Sequence, residues 1–381
     1  MSAGCDRRIG QLQDGIKSMS RNIEVGVFIP VGKNGWIHSV NTPYTPGSFQ
    51  HVLDVVQRSE ALGFDFVLSP AIWRGRKGPS RHWMDSLESL TTTAALLQAT
   101  SRIEIFGTVH MTVFPPATIA KMIATLDQIG AGRVGLNLVT GSSYLDLAHL
   151  GLWNDELNHD ERYDMADEWV HLVKRLWTEE IVDHKGRFFA TEAATMGPKP
   201  SRMPKLVNAG ASPRGIKFAA DNCDIAFISA SDGPKFIATA RQCKEAARAM
   251  GKPNLKTFGL VTVIPGETDA EAQARLDHFN AGVDRECLAD IAAGYEQNRS
   301  AKALSEASLS LTGGEKQSCV MPGELVGSYE TLARRLSVTA LEGELDGLML
   351  VVPDYIEDLA AIANRTLPLM ERHGVSSLRS R

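Results

Sequence analysis

Much of the chemistry that leaves a mark on a sequence is missing from this one. No apolar run approaches the length needed to cross a bilayer, and the opening "MSAGCDRRIGQLQDGIKSMSRN" holds no continuous apolar stretch of the kind a secretory signal requires. The five cysteines, Cys5, Cys223, Cys243, Cys287 and Cys319, show neither paired spacing nor a C-x-x-C, which argues against a disulfide framework and against a zinc site. A formal net charge of only -5 over 381 residues gives no long-range pull toward nucleic acid or anionic lipid. The expectation is a cytoplasmic protein with a small-molecule partner and with no nucleic-acid or membrane partner.

Several catalytic signatures are missing as well. No G-x-S-x-G elbow supports a serine nucleophile. The H-x-H that a metal-dependent hydrolase barrel carries on its first strand is replaced by "VGVFIPVG", and the ten histidines are scattered, so no metal is expected. Paired carboxylates are also scarce. The stretch "GAGRVG", Gly130 to Gly135, matches G-x-G-x-x-G letter for letter, but that motif works only when it follows a strand and opens a helix. Here it follows a helical stretch and enters a strand, and it reads as a helix C-cap and turn. No other segment fits a nicotinamide site.

What the sequence does contain is a regular alternation of short apolar runs with longer amphipathic ones, the pattern of a parallel sheet wrapped by helices. Eight runs read as strands: "IEVGVFIP" from Ile23, "DFVLS" from Asp65, "IEIFGTV" from Ile103, "RVGLNLV" from Arg133, "KLVNA" from Lys205, "DIAFIS" from Asp224, "KTFGLVTVI" from Lys256 and "DGLMLVV" from Asp346. Eight is the number that closes an α/β barrel of the (β/α)8 TIM type, and such barrels fill this length as one domain. The expected division is a flexible arm over 1–22, a single barrel over 23–372 and a tail over 373–381. Helices are expected over Phe49 to Leu62, Asp85 to Thr100, Ala117 to Ile129, Glu161 to Trp177, Pro213 to Asp221, Pro234 to Met250, Asp269 to Asn280, Tyr329 to Val338 and Asp358 to Met370. "SYET" offers Ser328 as an N-cap. Two connections, about 141–161 and 282–323, exceed what a minimal barrel needs. They are expected at the C-terminal face, where sites of this fold sit, and become candidate pocket walls.

One polar residue interrupts the fourth strand. In "GLNLVTGSSYLD", Gly135 to Asp146, Asn137 sits in an apolar run that ends at Thr140 and Gly141, and a desolvated amide costs free energy unless something bonds to it. Thr108 ends the neighbouring third strand. Either these groups satisfy local backbone or they face a planar polar ligand at the barrel mouth. Likewise "NAGASPRG", Asn208 to Gly215, puts Ser212 and Arg214 at a helix start with Pro213 in the first turn, which is either an ordinary N-cap or a phosphate site. "HDERY", His159 to Tyr163, reads as capping and ion pairing rather than a metal cluster.

At these residues the chain resembles the bacterial luciferase-like flavin monooxygenases. The resemblance is carried by "NLVTG" with "HDERY" about twenty residues on, "ATLDQIGAGRVG" before it, "GVFIPVGKNGW" at the first strand and "VGSYETLARRL" near the end, and it spans Ile23 to Met370. Within the family the pyrimidine monooxygenase branch is most similar and the alkanesulfonate branch is further off. The resemblance implies a luciferase-like barrel that binds reduced FMN delivered by a separate NAD(P)H:flavin reductase, then uses O2 to form a flavin peroxide. It implies that Asn137 bonds the isoalloxazine ring, Ser212 the phosphate, and Arg162 with Tyr163 the phosphate or ribityl side. Ala71 and Ile72 would lie against the ring, Asp146 would stand in place of a family glutamate on the cofactor side, and Thr108 would stand where oxygen reacts.

The chain also departs from that branch. Ser142 replaces a tryptophan, Ala71-Ile72 replaces an Ile-Lys dipeptide and so removes a cation, and His110 enters a place that is usually small. These changes imply a wider, differently polarised pocket, in which His110 donates a proton, bonds substrate or is simply packed. The seventh strand, "GLVTVI", lacks the basic residues of the sulfonate branch. The leading expectation is a two-component monooxygenase that cleaves a ring C–N bond of a small, pyrimidine-like heterocycle. Other readings are oxidation of a larger heterocycle in the manner of a riboflavin lyase, alkanesulfonate oxidation, or flavin binding without catalysis. A homo-oligomer, dimer or tetramer, is expected.

Overall fold

The computed structural model describes residues 20–141, 143–210, 212–229, 233–296, 318–320 and 324–377. Within them the eight apolar runs become β1 (Arg21–Phe28), β2 (Phe66–Ser69), β3 (Glu104–His110), β4 (Val134–Val139), β7 (Lys205–Asn208), β8 (Ile225–Ile228), β9 (Lys256–Gly266) and β11 (Gly347–Val351). All pair in parallel, in the order β1-β2-β3-β4-β7-β8-β9-β11, and β11 returns to β1 to close the barrel. Helices cover the outside of the wall, so β2, β8 and β11 are buried at every residue, which is why such strands read as unbroken apolar runs.

Four phenylalanines floor the interior. Phe66, Phe106, Phe227 and Phe258 come from β2, β3, β8 and β9, and their ring centroids lie 5.1–6.4 Å apart across the barrel. Space for them comes from glycines in direct register: Gly26 faces Phe66, Gly135 faces Phe106 and Gly347 faces Phe258. A Cβ at Gly26 or Gly135 would stand 2.4 Å from its partner ring. Side chains alternate along a strand, so two residues beyond this floor the wall points inward again at Phe28, Leu68, Thr108, Asn137, Leu260 and Met349.

The N-cap and turn expectations hold. The helix Pro116–Gly130 ends on Ala131 and Gly132, both at positive φ, before β4 begins, so the glycine motif there is a turn and not a nucleotide loop. Ser328 caps the helix Tyr329–Glu342. The helix expected from Asp85 starts at Ser89, because the Glu88 carboxylate caps the amides of Leu90 and Thr91. The last helix is broken into Glu357–Ala361, a wide turn at Ile362–Thr366, and Leu367–Met370, since Pro368 has no N–H to continue the ladder.

Among the described residues four further strands lie outside the eight. β5 (Val182–Lys185) and β6 (Ala190–Ala194) form a hairpin, β10 (Glu324–Ser328) extends the far half of β9, and β12 (Val375–Ser377) pairs with β1 from Arg21. The long connection after β9 holds a second helix, Arg285–Glu296, which packs on the short helix Tyr144–His149 of the other insertion. Both insertions therefore meet over the C-terminal ends of the strands. Residues 1–19, Ser142 and 297–317 lie outside the described residues, and with them most of the expected arm and the expected loss of a lid tryptophan.

Gly135→Ala should destabilise the barrel by about 1–3 kcal/mol, the usual cost of overpacking, and Phe106→Leu in the same chain should recover part of the loss. Urea denaturation of the three proteins checks this. Equal stability of wild type and Gly135→Ala would show that the floor yields freely.

Candidate active site

Above the phenylalanine floor the first polar pair on the inner wall is Thr108 and Asn137, directly opposed in register. Asn137 Nδ2 donates to Thr108 Oγ1 at 3.1 Å, whereas Asn137 Oδ1 is buried and has no partner. The amide thus satisfies no backbone group: one end bonds the Thr108 hydroxyl and the other is bare. Thr108 is fixed from behind, because Ser89 Oγ accepts from its backbone N–H at 2.8 Å and donates to Ser69 O at 2.8 Å.

A second polar centre forms where β4 leaves the barrel. The helix His159–Thr178 starts from a capping box made by Asn158 and Glu161, and Glu161 also pairs with Arg187 at 2.7 Å, as expected of that acidic cluster. This start fixes Arg162 and Tyr163. The Tyr163 hydroxyl bonds with the side chains of Thr140 and Ser212, and burial raises its pKa. It sits in a cradle that a Cβ on Gly210 or Gly215 would fill, at 2.3 Å and 2.7 Å. Ser212 Oγ caps the helix Pro213–Asn222 by accepting from Gly215 N at 3.0 Å, and lies 3.4 Å from His159 Nε2. Arg162 is buried, donates to Leu157 O at 2.8 Å and lies over Trp153. Arg214 pairs with Asp164 and Asp167, so its charge is largely met within the protein.

The loop after β2 closes the opposite side of the mouth. Ile72 is buried and Ala71 half-buried, and Ile72 and Trp83 both border Gly32. The cation that the Ala71-Ile72 dipeptide lacks is present nearby after all, in Arg74 and Arg76. Arg74 donates to Asp290 at 2.5 Å and lies 3.7 Å from Asp146, and Arg76 donates to Asp146 at 3.2 Å. Asp146 thus spends its carboxylate on two arginines, and Arg74, pairing with both Asp146 and Asp290, joins the two insertions to this loop. His110, one layer above Thr108, accepts a hydrogen bond at Nδ1 from Trp73 Nε1 at 2.7 Å. Burial pushes its pKa down to about 4, against the pull of Asp146.

The histidines are less scattered than their spacing suggests. His38 and His82, from the loops after β1 and β2, meet edge to face at 4.4 Å beside Trp83, and both are fully buried. Three of their ring nitrogens have no partner. Burial, with Arg76 nearby, holds His38 at about 4 although Asp284 opposes it, and holds His82 well below its ordinary value with His38 adding to the effect. No group of three or more metal-ligating side chains occurs among the described residues.

The two polar centres suit the two ends of a mononucleotide. The orphaned Asn137 acceptor answers an N–H on a planar ring, and the Tyr163–Ser212–His159 cradle offers hydroxyl and imidazole donors to a phosphate. An open groove of about 820 Å³ bordered by Thr42, Pro43, Arg275 and Tyr329 contains none of these residues. No helix among the described residues is long and apolar enough to cross a membrane. Sequence reasoning overlooked Trp73, Arg74, Arg76, His38, His82 and Asp290. Only the Trp73–His110 pair carried a signal, since the unusual histidine called for a partner.

Comparison with known proteins is consistent with this geometry. Residues 23–340 match the sequence pattern of the luciferase-like monooxygenases. The chain is 34% identical over 351 residues to pyrimidine monooxygenase RutA of Caulobacter segnis, covering 92% of this chain and 99% of that one, and 34% identical over 360 residues to the RutA of Stutzerimonas stutzeri, covering 94% and 99%. Among solved structures, riboflavin lyase RcaE superposes with a TM-score of 0.78 at 20% identity over 94% of both chains. Long-chain alkane monooxygenase LadA does so with 0.78 at 20% over 95% and 94%. At that identity the last two share the fold.

Because His38 and His82 are held neutral in the fold, the unfolded chain takes up protons that the folded chain refuses as pH falls from 6.5 toward 4. Stability should drop through that window, by about 3 kcal/mol from His38 alone. His82→Phe should make the fall in Tm with acid shallower. An unchanged slope would show that these rings titrate freely.

Proposed function

This chain belongs to the luciferase-like monooxygenase family and is a flavin-dependent monooxygenase, and on that premise we propose that it uses reduced FMN from a separate flavin reductase, with O2, to open a ring C–N bond in a small pyrimidine-like heterocycle. The observation that carries the reading is the buried, unpartnered Asn137 Oδ1 beside Thr108 on the inner wall. A buried acceptor left bare costs about 1–3 kcal/mol, and a ring N–H removes that cost. The extensive similarity to named pyrimidine monooxygenases supports the substrate class.

When bound, reduced FMN supplies two electrons to O2, so that one oxygen atom passes to the substrate and the other leaves as water. The protein's part is to position and to keep dry. Asn137 holds the ring edge through Oδ1 and orients Thr108 through Nδ2. Thr108 Oγ1 accepts that bond, which leaves its own proton free to donate toward the reacting oxygen. Tyr163, Ser212, His159 and Arg162 hold the phosphate and ribityl end. The phenylalanine floor excludes water from below. Among the described residues Thr108 is bonded by Ser89 and Asn137 and by no acid or base, in keeping with chemistry that the cofactor carries.

Anaerobic reduction of FMN with the protein, admission of O2 and mass spectrometry over uracil, thymine, riboflavin and an alkanesulfonate test the proposal. Ring-opened product from a pyrimidine, and NADH oxidation only when a reductase is added, are expected. Oxidation of riboflavin or the sulfonate alone would replace the substrate class, and rapid NADH oxidation by the purified chain would remove the need for a partner.

Asn137→Ala should weaken FMN binding by about 1–3 kcal/mol, measured by flavin fluorescence titration. Unaltered affinity with lowered Tm would make the amide structural. Thr108→Val should keep FMN affinity and flavin reoxidation but divert oxygen to hydrogen peroxide, with coupled product falling roughly tenfold or more. Wild-type coupling would move the oxygen site elsewhere on the rim.

A further inference from the structure

We infer that Trp73 locks His110 as a neutral imidazole with its single proton on Nε2, and that this fixed donor selects substrates presenting an uncharged hydrogen-bond acceptor, such as a ring carbonyl, at the barrel mouth. The inference rests on the mouth being the reaction site. The geometry starts from the 2.7 Å contact between Trp73 Nε1 and His110 Nδ1. An indole N–H can only donate, so Nδ1 must present its lone pair. Protonating Nδ1 would set two N–H groups against each other at that distance. Both the imidazolium and the other neutral tautomer are thereby disfavoured, and the proton resides on Nε2.

His110 follows Thr108 by two residues on β3, on the same inward-facing side of the strand, about 7 Å nearer the mouth. The hydrogen bond this ring makes to the described residues is the one at Nδ1. The charged groups facing it are Asp146 on the helix Tyr144–His149 and, through that carboxylate, Arg74 and Arg76 from the loop after β2. Arg74 pairs further with Asp290 on the helix Arg285–Glu296. These two acids and two arginines neutralise one another, so the donor faces a mouth whose cations are engaged. An anionic sulfonate must compete there with carboxylates already paired to Arg74 and Arg76, whereas a neutral carbonyl needs only the N–H. The ring contacts of Trp73 with His110 and Phe114, at 6.4 Å and 6.3 Å, hold the indole in place.

The test is nitrogen NMR of histidine-labelled protein loaded with oxidised FMN, the His110 signals being assigned by loss in His110→Gln. Wild-type His110 should show an unprotonated Nδ1 and a protonated Nε2 at every pH from about 5 to 8. In Trp73→Phe, which keeps an aromatic ring but no N–H, the resonances should titrate nearer the ordinary histidine range and show mixed tautomers. Titration with uracil should shift the wild-type Nε2 signal, and octanesulfonate should not. With a pyrimidine substrate, Trp73→Phe should lower turnover about tenfold and add a pH dependence, and His110→Gln, which retains an N–H donor, should keep more activity than His110→Phe. A proton on Nδ1 in wild type, titration of wild-type His110 between pH 5 and 8, or a spectrum unchanged in Trp73→Phe would overturn the lock. A response to octanesulfonate as strong as to uracil, or none to uracil, would overturn the selection. A uracil response without any oxygenated product would uphold the donor and sink the oxygenase reading instead.

Discussion

The pairing of Phe106 with Gly135 across β3 and β4 sets the level from which the inner wall is built. The aromatic ring occupies the space a Cβ would need, so the two strands can meet in this register and in few others. A slip of one residue would turn Thr108 and Asn137 out of the barrel and bring apolar neighbours in, because side chains alternate strictly along a strand. Two more pairs of the same kind, Gly26 with Phe66 and Gly347 with Phe258, fix β1, β2, β9 and β11 against one floor. The position of the polar pair is thus a consequence of packing several ångströms below it.

From that level upward the wall changes character. The floor is aromatic and closed, the next layer carries Thr108 and Asn137 among apolar neighbours, and the layer above carries His110. Above the floor, Thr108, Asn137 and His110 enter toward the ends of their strands, where loops can supply partners. This gradient gives a small number of directed hydrogen bonds in a dry setting, where each is worth more than in water. The histidines of the loops obey the same rule, since burial keeps His38, His82 and His110 neutral.

The barrel was legible because its evidence is local. Each strand is a short apolar run, each helix an amphipathic one, and all eight strands form where the runs lie. β5, β6 and β12 were not legible, being short and largely exposed, with no apolar alternation to mark them. The helix Arg285–Glu296 lay inside a span whose length argued for a loop. At the site, Asn137, Thr108 and Ser212 stood out as polar residues at strand or helix ends, which single positions can reveal. The arginine–carboxylate network could not be foreseen, because Arg74, Asp146 and Asp290 are far apart in sequence and meet only when two insertions fold over one loop. Arg214 shows the opposite error: its place at a helix start suggested a free cation, but Asp164 and Asp167, one and two turns into another helix, engage it.

That network also changes how the chain's departures from its relatives should be weighed. Read singly, an isoleucine at 72 means a lost charge and a histidine at 110 a gained one. In the folded chain neither holds. Arg74 and Arg76 bring positive charge to the same loop, Asp146 and Asp290 cancel it, and burial, with Trp73 donating to Nδ1, keeps His110 uncharged. A mouth whose fixed charges are matched among themselves gains little from binding an ion, because any anion must compete with a carboxylate already in place. What remains for recognition is shape and the direction of a few N–H and C=O groups. Such a surface discriminates most sharply among neutral molecules, where one missing acceptor leaves a buried donor bare.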